Sequence, residues 1–323
     1  MAKTNWDVAI IGAGPAGLAS GLYTARGGYS TIIIEKFSPG GQIVTTDRIE
    51  NYPGIERIDG WSLVETMYKQ VRRFGAEVLT GTEVNRIQRR PDGLIEVHAE
   101  GNLHLAHVVI LAVGSTYRRL GVPGEEEFRS AGAGVSYCGT CDGPFFKGKE
   151  VVAVGGGNTA VEEALYLAKL CKKVTLVHRR DQFRADKVLV DELLARAREP
   201  DSNLVIRYNS IVTAIEGKGK VESVRIKDLR EGSEQDYPCD GVFIFVGMVP
   251  NTDFLKGTVG LTEAGLVRCD PATLCTDTPG IFVAGDCRVG AAMQLATAVG
   301  DGVHAAVLLK EYLRDPKWWH MPT

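Results

Sequence analysis

Two segments of this 323-residue chain share one pattern, and this duplication limits the possible folds more than any other feature. Residues 7–36 and 150–180 each contain an apolar β-branched run, a glycine-rich turn, an Ala/Leu-rich stretch and a second apolar run. That order is typical of strand, turn, helix and strand. Gly12 precedes Glu35, and Gly155 precedes His178, by the same 23 positions. We therefore expect one βαβ unit to occur twice.

The first turn, GAGPAG, has the G-x-G-x-x-G spacing of dinucleotide-binding proteins at Gly12, Gly14 and Gly17. The first glycine makes a tight turn, the second lets the backbone approach a pyrophosphate, and the third lets the helix pack on the strand. The helix would begin at Pro15 and Ala16 and direct its amides and partial positive charge at the phosphates. A tight βα turn without a ligand is the structural alternative.

Two acids indicate which dinucleotide the first unit binds. Glu35, followed by Lys36, ends the second strand, where a carboxylate accepts hydrogen bonds from ribose hydroxyls in NAD or FAD. In GIFVAGDC, Gly285 and Asp286 follow a later apolar run. An Asp at such a strand end can bind the ribityl chain or the pyrophosphate of a flavin. We therefore expect FAD in the first unit.

The second turn, GGGNTA, repeats the fingerprint with Gly155, Gly157 and Ala160 at its three positions. Alanine serves as the third residue in this motif. Asn158 and Thr159 lie inside the turn and complete the candidate binding residues there.

The second unit ends its second strand with a basic segment instead of an acid. His178 is followed by Arg179 and Arg180, and Arg184 lies four residues further on. Guanidinium groups bind a doubly charged 2′-phosphate, which a glutamate would repel. The pattern favours NADPH, and the alternative is a solvated surface run of arginines.

The remaining segments suggest how the units are joined. Alternation of apolar and polar residues over 77–114, repeated over 203–228, predicts small antiparallel excursions. The strand near 281 and the helical stretch after it lack a nucleotide turn and most simply complete the first unit. We expect an α/β fold of two Rossmann-like, three-layer ββα domains, the second inserted into the first. The FAD-binding domain would span 1–117 and 247–323, and the NAD(P)-binding-like domain 118–246.

Residues 136–146, SYCGTCDGPFF, contain a C-x-x-C pair, Cys138 and Cys141, followed by Asp142. A zinc site needs four ligands, and the chain has no second C-x-x-C pair, so we predict no metal. A structural disulfide across so short a loop would constrain little chain entropy. The pattern favours a redox couple, because C-x-x-C thiols exchange readily. Asp142 would be an acid/base, or else an ordinary turn residue.

Charge, apolar runs and cysteine count indicate the partners and the cellular compartment. The formal net charge is −3, and no Lys/Arg run suggests a nucleic-acid partner. No segment approaches the roughly 18 apolar residues of a membrane span. The start lacks the pattern of a signal peptide, and an odd number of cysteines, seven, fits a reducing compartment. We expect a cytoplasmic protein without membrane contact.

In combination, these motifs resemble those of low-molecular-weight thioredoxin reductases, in the flavoprotein disulfide reductase family. The resemblance covers nearly the whole chain in the family's order: GAGPAG, GGQI, ENYPG, CGTCDG, GGGNTAVEEALYL, HRRDQFRADK and GIFVAGD. It implies a homodimer that reduces thioredoxin through FAD. Cys138 and Cys141 would form the redox disulfide, with Cys141 facing the flavin, Cys138 attacking thioredoxin and Asp142 as acid/base.

The resemblance also implies further cofactor contacts. The residues expected around FAD, beyond those of the first turn and Glu35 with Lys36, are Gly41, Gln42, Asn51, Gly114, Gly285, Asp286, Gln294 and Leu295. Arg179, Arg180 and Arg184 would hold the 2′-phosphate of NADPH. The inserted domain would rotate about crossings near residues 115–120 and 245–250, so that nucleotide and disulfide reach the flavin in turn.

Departures from the family pattern leave the electron donor open. Met293 stands where an Arg usually precedes Gln294, and the chain ends in an aromatic tail of Trp318, Trp319 and His320. The tail is either a frayed or dimer-packed terminus, or it stacks Trp318 or Trp319 on a flavin, that of the partner subunit, in place of nicotinamide. Stacking would suit a relative that uses ferredoxin, whose potential of about −400 mV suffices to reduce thioredoxin at about −270 mV. The donor is therefore NADPH or, alternatively, ferredoxin.

Overall fold

The computed structural model describes residues 4–46 and 48–319. The chain divides into two compact units. The first comprises Met1–Thr116 and Val249–Thr323, and the second is Tyr117–Met248. No helix in the described ranges combines the length and apolar character needed to cross a membrane.

The strands, in chain order, are β1 (Asn5–Ile11), β2 (Thr31–Ile34), β3 (Glu77–Leu79), β4 (Val84–Arg89), β5 (Ile95–Ala99), β6 (Asn102–Leu111), β7 (Ser115–Tyr117), β8 (Val135–Ser136), β9 (Glu150–Gly155), β10 (Lys173–Val177), β11 (Leu204–Arg207), β12 (Ser210–Glu216), β13 (Ser223–Asp228), β14 (Glu234–Pro238), β15 (Gly241–Phe245), β16 (Met248–Pro250) and β17 (Ile281–Val283). The α-helices are α1 (Pro15–Arg26), α2 (Gly60–Arg73), α3 (Glu125–Ser130), α4 (Gly139–Asp142), α5 (Asn158–Ala168), α6 (Lys187–Ala197) and α7 (Leu295–Arg314).

The first unit contains a seven-stranded mixed sheet. Its order is β3-β2-β1-β6-β5-β4, and β17 also pairs with β6. The strands β1, β2, β3 and β17 run parallel to their neighbours, whereas β4, β5 and the start of β6 are antiparallel. The predicted antiparallel excursion is therefore confirmed for β4 to β6. The strand Glu77–Leu79 differs, because it joins the parallel edge beside β2.

The second unit contains a five-stranded parallel sheet, in the order β11-β10-β9-β15-β8, and a separate antiparallel sheet, β12-β13-β14. The predicted excursion over 203–228 was wrong at its start. Leu204–Arg207 continues the parallel sheet beside β10, and the antiparallel part begins at Ser210. Local alternation does not distinguish an edge strand of a parallel sheet from a strand of a hairpin.

The core of each unit lies against its sheets. All four residues of β2, TIII, are buried, as expected of a parallel strand covered on both faces. Small residues bring α1 and α7 together: a Cβ on Gly302 would lie 2.1 Å from the Ala16 carbonyl oxygen. The hydroxyl of Ser20 lies within hydrogen-bond distance of the Ala16 and Gly302 carbonyl oxygens. The predicted α/β class with two Rossmann-like folds is confirmed.

Candidate redox-active site and nucleotide-binding turns

The residues predicted to bind FAD gather at one edge of the first sheet. The strands β1, β2, β6 and β17 are parallel, so their carboxyl ends meet at the same edge. Ligands of open α/β sheets bind outside this edge. The turn after β1, Glu35 after β2, Gly114 after β6 and Asp286 after β17 all follow these strand ends.

The first turn has no room for a side chain at Gly12 or Gly17. Gly12 has a φ of +103°, and a Cβ there would lie 2.4 Å from the Ala112 carbonyl oxygen. A Cβ on Gly17 would lie 1.9 Å from the Gly12 carbonyl oxygen. The helix α1 starts at Pro15, after Gly14, with no side-chain cap and no acid in its first turn. The amides at this helix end are therefore left for an anion.

Glu35 shapes this turn from the end of β2. Its carboxylate accepts hydrogen bonds from the amides of Ala13 (2.7 Å) and Phe37 (2.8 Å). Each carboxylate oxygen has a further lone pair, so these bonds leave acceptor capacity for a ribose. Lys36 is exposed and pairs with Glu83 at 2.7 Å.

A second loop runs along the turn. A Cβ on Gly41 would lie 3.3 Å from the Gly14 Cα, so the two glycines bring two backbones together. The side-chain amide of Gln42 donates to the Ser115 carbonyl oxygen at 2.7 Å. The Ser115 hydroxyl in turn donates to the Asp286 carbonyl oxygen at 2.6 Å. These bonds link the loop, the start of β7 and the turn after β17.

Asp286 has the properties of a ligand-binding acid. Its Oδ1 is shielded from solvent and has no hydrogen-bond partner among the residues that the structure describes. Burial, followed by the charge of Asp301, raises the pKa of Asp286 to about 6. A buried acceptor without a donor is unfavourable. A hydroxyl donor such as that of a ribityl chain would satisfy this oxygen, so the first unit fits FAD.

An ion pair that we did not predict supports the same turn. The guanidinium of Arg288 donates from Nε to Asp301 Oδ2 at 2.6 Å and from Nη2 to Oδ1 at 2.9 Å. The Gly285 amide donates to Asp301 Oδ2 at 2.9 Å. Both side chains are nearly buried, with exposed fractions of 12% and 14%. An aspartate within the apolar first half of α7 was the available sequence signal.

The remaining predicted FAD residues lie in varied settings. Gln294 precedes α7 and forms a reciprocal capping pair with Thr297, while Leu295 is the first residue of that helix. Asn51 is exposed and lines a surface depression formed by residues 50–56. Gly114 has a φ of +60°, which suits glycine at the end of β6.

The aromatic tail packs on its own unit. The Trp319 ring lies edge-on to Phe282 at 4.8 Å and to Tyr312 at 5.1 Å, and its indole N–H donates to the Thr276 carbonyl oxygen. Trp318 packs against the same hydrophobic core. Stacking of Trp319 on a flavin would require the ring to leave these contacts. His320 lies outside the described residues.

The second turn is also tight, and the predicted nucleotide-site residue His178 lies against it. A Cβ on Gly155 would lie 2.6 Å from the Ala160 Cβ. His178 is buried, and its ring nitrogens lie 2.9 Å from the carbonyl oxygens of Gly155 and Gln182. The imidazole therefore links the start of the turn, at Gly155, to the segment that follows β10, at Gln182. Asn158 is exposed and exchanges two hydrogen bonds of 2.8 Å with Asp186.

The three candidate arginines of the second unit are exposed. Arg179 and Arg180 follow β10, and the Arg184 amide donates to the Gly156 carbonyl oxygen at 2.8 Å. That bond brings the basic segment beside the second turn. The placement suits a phosphate at the end of a dinucleotide bound there. Thr159 is also exposed within the turn.

Cys138 and Cys141 form a disulfide, with their Cα atoms 5.3 Å apart. The pair spans the start of α4, where Cys138 Sγ accepts a hydrogen bond from the Cys141 amide at 3.1 Å. Asp142 ends this helix, and its carboxylate accepts a hydrogen bond from the Ser136 hydroxyl at 2.6 Å. Sulfur at a helix N-terminus is typical of reactive C-x-x-C pairs.

A buried glutamate that sequence reasoning missed supports the segment before Cys138. Glu125, only 2% exposed, accepts hydrogen bonds from the amides of Leu120 and Gly121 and from the Tyr137 hydroxyl at 2.6 Å. Burial, and then the hydrogen bond that its hydroxyl donates to Glu125, raises the pKa of Tyr137. The phenol of Tyr137 therefore remains a donor.

Two dinucleotide-binding folds in one chain, with a disulfide in the second, define a flavoprotein disulfide reductase. Residues 6–302 match the family model described as pyridine nucleotide-disulphide oxidoreductase. The chain belongs to this family, and within it to the low-molecular-weight thioredoxin reductase type.

Relatives match over nearly the whole length. A thioredoxin reductase of Bacillus subtilis is 42% identical over 312 residues, covering 96% of this chain and 95% of the relative. A crystal structure of thioredoxin reductase from Streptococcus pyogenes has a TM-score of 0.90 at 41% identity, covering 97% of this chain and 99% of the other. Thioredoxin reductase from Giardia duodenalis has a TM-score of 0.89 at 36% identity, covering 97% and 100%.

Proposed function

We propose that this protein is a thioredoxin reductase that takes electrons from NADPH through FAD and delivers them to thioredoxin by way of Cys138 and Cys141. The observation that carries the proposal is the disulfide at the start of α4, in the same unit as a nucleotide turn flanked by exposed arginines. Relatives named thioredoxin reductase, similar over nearly the whole chain, support it.

FAD, when bound, would supply the chemistry that converts hydride transfer from NADPH into two-electron reduction of a disulfide. The first turn and the start of α1 would bind its pyrophosphate, and Glu35 would accept from its ribose. Asp286 Oδ1 would accept from a ribityl hydroxyl. The FAD-binding domain would span 1–117 and 247–323.

The dithiol would then act by exchange. Reduction of the disulfide takes two electrons and two protons, and Asp142, held by Ser136, would supply a proton to the Cys141 sulfur. The Cys138 thiolate would attack a thioredoxin disulfide and form a mixed disulfide. The Cys141 thiolate would attack Cys138 Sγ, releasing reduced thioredoxin and restoring the internal disulfide. The active form would be a homodimer.

Two observations favour NADPH over ferredoxin as the donor. Arg179, Arg180 and Arg184 are exposed beside the second turn, as a 2′-phosphate requires. Of the two rings expected to cover a flavin in a ferredoxin-dependent enzyme, Trp319 packs on Phe282 and Tyr312, and Trp318 packs against the same hydrophobic core. The domain 118–246 would therefore bind NADPH.

Cysteine variants test the proposed reductase function. Cys138→Ser and Cys141→Ser should each abolish thioredoxin reduction while FAD remains bound, because exchange needs both sulfurs. Thioredoxin reduction and bound FAD are measured on the same preparations. Full turnover in both variants would refute the proposal.

Anaerobic mixing tests the donor. Stoichiometric NADPH should bleach the flavin absorbance rapidly, and NADH should do so much more slowly. In a triple variant, with Arg179, Arg180 and Arg184 changed to Gln, the preference for NADPH should fall at least tenfold, since each charge-assisted bond to phosphate contributes about 1.5 kcal/mol or more. Bleaching by reduced ferredoxin but not by NADPH would establish the alternative donor.

A further inference from the structure

A carboxylate lies directly beneath the redox-active segment. Glu163 is on α5, and its Oε2 is shielded from solvent and has no hydrogen-bond partner among the described residues. A Cβ on Gly139, the residue after Cys138, would lie 2.0 Å from this oxygen. The glycine between the two cysteines therefore makes room for the Glu163 carboxylate.

The position of Glu163 on α5 is unusual for a charged residue. The buried face of this helix is formed by Ala160, Val161, Ala164 and Leu167, and Glu163 falls among them. Its neighbour Glu162 is exposed. Shielding a carboxylate oxygen beside an apolar helix face is unfavourable, so the position of this half-buried glutamate beside α4 needs a reason.

The electrostatic surroundings of Glu163 come from the cysteine segment. Burial raises its pKa, the Thr140 amide lowers it, the charge of Glu162 raises it and the Gly139 amide lowers it. These two amides are at the start of α4, where the Cys138 sulfur also lies. The carboxylate and the sulfur therefore lie at the same helix end, the carboxylate near the Gly139 and Thr140 amides and the sulfur on the Cys141 amide.

We propose that Glu163 is a positioning residue that makes the Cys138–Cys141 dithiol a stronger reductant. Its negative charge faces the first amides of α4 and opposes the stabilisation that this helix start gives to a Cys138 thiolate. The half-reaction joins one disulfide, two electrons and two protons to give two thiols, one of which ionises as pH rises. Disfavouring the thiolate shifts this equilibrium towards the disulfide, so the dithiol gives up its electrons more readily.

Charge-neutral variants test the proposal. Glu163→Gln keeps the shape and removes the charge, and Glu162→Gln makes the same change one position away on the exposed side. Each protein is equilibrated with glutathione redox buffers at pH 8, and the thiol and disulfide forms are separated by alkylation. For Glu163→Gln we expect the equilibrium to move about threefold to tenfold towards the dithiol, or about 14 to 30 mV. For Glu162→Gln we expect less than about a twofold change.

A second readout separates tuning from a structural effect. The pH dependence of the alkylation rate gives the thiol pKa of Cys138, which should fall in Glu163→Gln and stay unchanged in Glu162→Gln. Glu163→Asp keeps the charge but withdraws it by one methylene, so it should shift both values in the same direction by less. If Glu163→Gln does not fold, the shifts measured for Glu163→Asp test the proposal instead. Unchanged values, or a shift towards the disulfide, would overturn the proposal.

The proposal rests on the proposed function only in requiring that the pair cycle between dithiol and disulfide. The measurement needs neither NADPH nor thioredoxin. A shifted equilibrium without thioredoxin reduction would therefore refute the function and leave the role of Glu163 standing.

Discussion

Replacing Arg288 by Met should destabilise the turn that carries Asp286. The change leaves the carboxylate of Asp301 nearly buried, at 14% exposed, with the Gly285 amide as its remaining donor of those described above. Removing one partner of a buried ion pair costs about 3–5 kcal/mol, because the other charge is left uncompensated. The Arg288 charge also lowers the pKa of Asp286, so its loss adds repulsion between two acids.

Hydrogen exchange followed by mass spectrometry measures this loss locally. A cost of about 3 kcal/mol in the opening free energy corresponds to exchange more than a hundredfold faster. The effect should be confined to peptides covering β17 and the start of α7, including the Gly285 amide. Local measurement is preferable because a chain of two units need not unfold in one step.

A surface arginine provides the control. Arg225→Met removes exposed ion pairs with Glu216 and Asp236, in which Arg225 is 39% exposed and its partners 40% and 60%. Exposed pairs contribute about 0–1 kcal/mol, so exchange near β13 and β14 should change little. If Arg288→Met accelerated exchange no more than Arg225→Met, the assignment of a buried, structurally essential pair would be refuted.

Three further outcomes are expected. Gly17→Ala should prevent stable FAD binding, because the new Cβ would lie 1.9 Å from the Gly12 carbonyl oxygen; Gly300→Ala, where the Cβ meets open space, should instead retain FAD and gain up to about 1 kcal/mol. Flavin-free protein should lose roughly 2–3 kcal/mol of stability as pH rises from about 4 to about 6. The folded-state pKa of Asp286 is raised to about 6, so the folded protein binds this proton more tightly than the unfolded chain does. The stability gained from that proton is complete only below the unfolded-state pKa. Urea titrations of Asp286→Asn should lack this dependence, and its persistence would contradict the assignment. Trp319→Ala should lower stability by about 3 kcal/mol through lost packing on Phe282 and Tyr312, while stopped-flow flavin reduction by NADPH stays unchanged; a large acceleration would instead support a covering role for the tail.

The sequence predicted features that short-range patterns encode. The two glycine turns, their flanking strands and the C-x-x-C pair depend on residues close together in the chain. The assignment of β17 to the first sheet also succeeded, because an apolar strand without its own nucleotide turn has few places to pair. The parallel pairing of Leu204–Arg207 failed, because its register with β10 is set by packing and not by its own alternation.

The supporting residues could not be predicted for a related reason. Glu125 accepts from Tyr137, Asp301 from Gly285, and Glu163 lies against Gly139, each across 12 or more positions of the chain. Asp301 meets Gly285 from 16 positions away, and Glu163 meets Gly139 from 24. For Asp301 and Glu163 the sequence shows an acid among apolar helix residues, but only the fold identifies the amides or the guanidinium that lie beside it.

The contact between α1 and α7 has a consequence for biosynthesis. Gly302 packs on Ala16, and β17 fills a place in the sheet beside β6, so the first unit lacks a layer until residues near 314 have been made. The second unit, in contrast, is continuous from Tyr117 to Met248. At roughly 5–20 residues per second, the ribosome therefore releases a complete second unit several seconds before the first can close. Nascent chains halted after about residue 290 should carry a protease-resistant second unit attached to an open, chaperone-accessible first sheet.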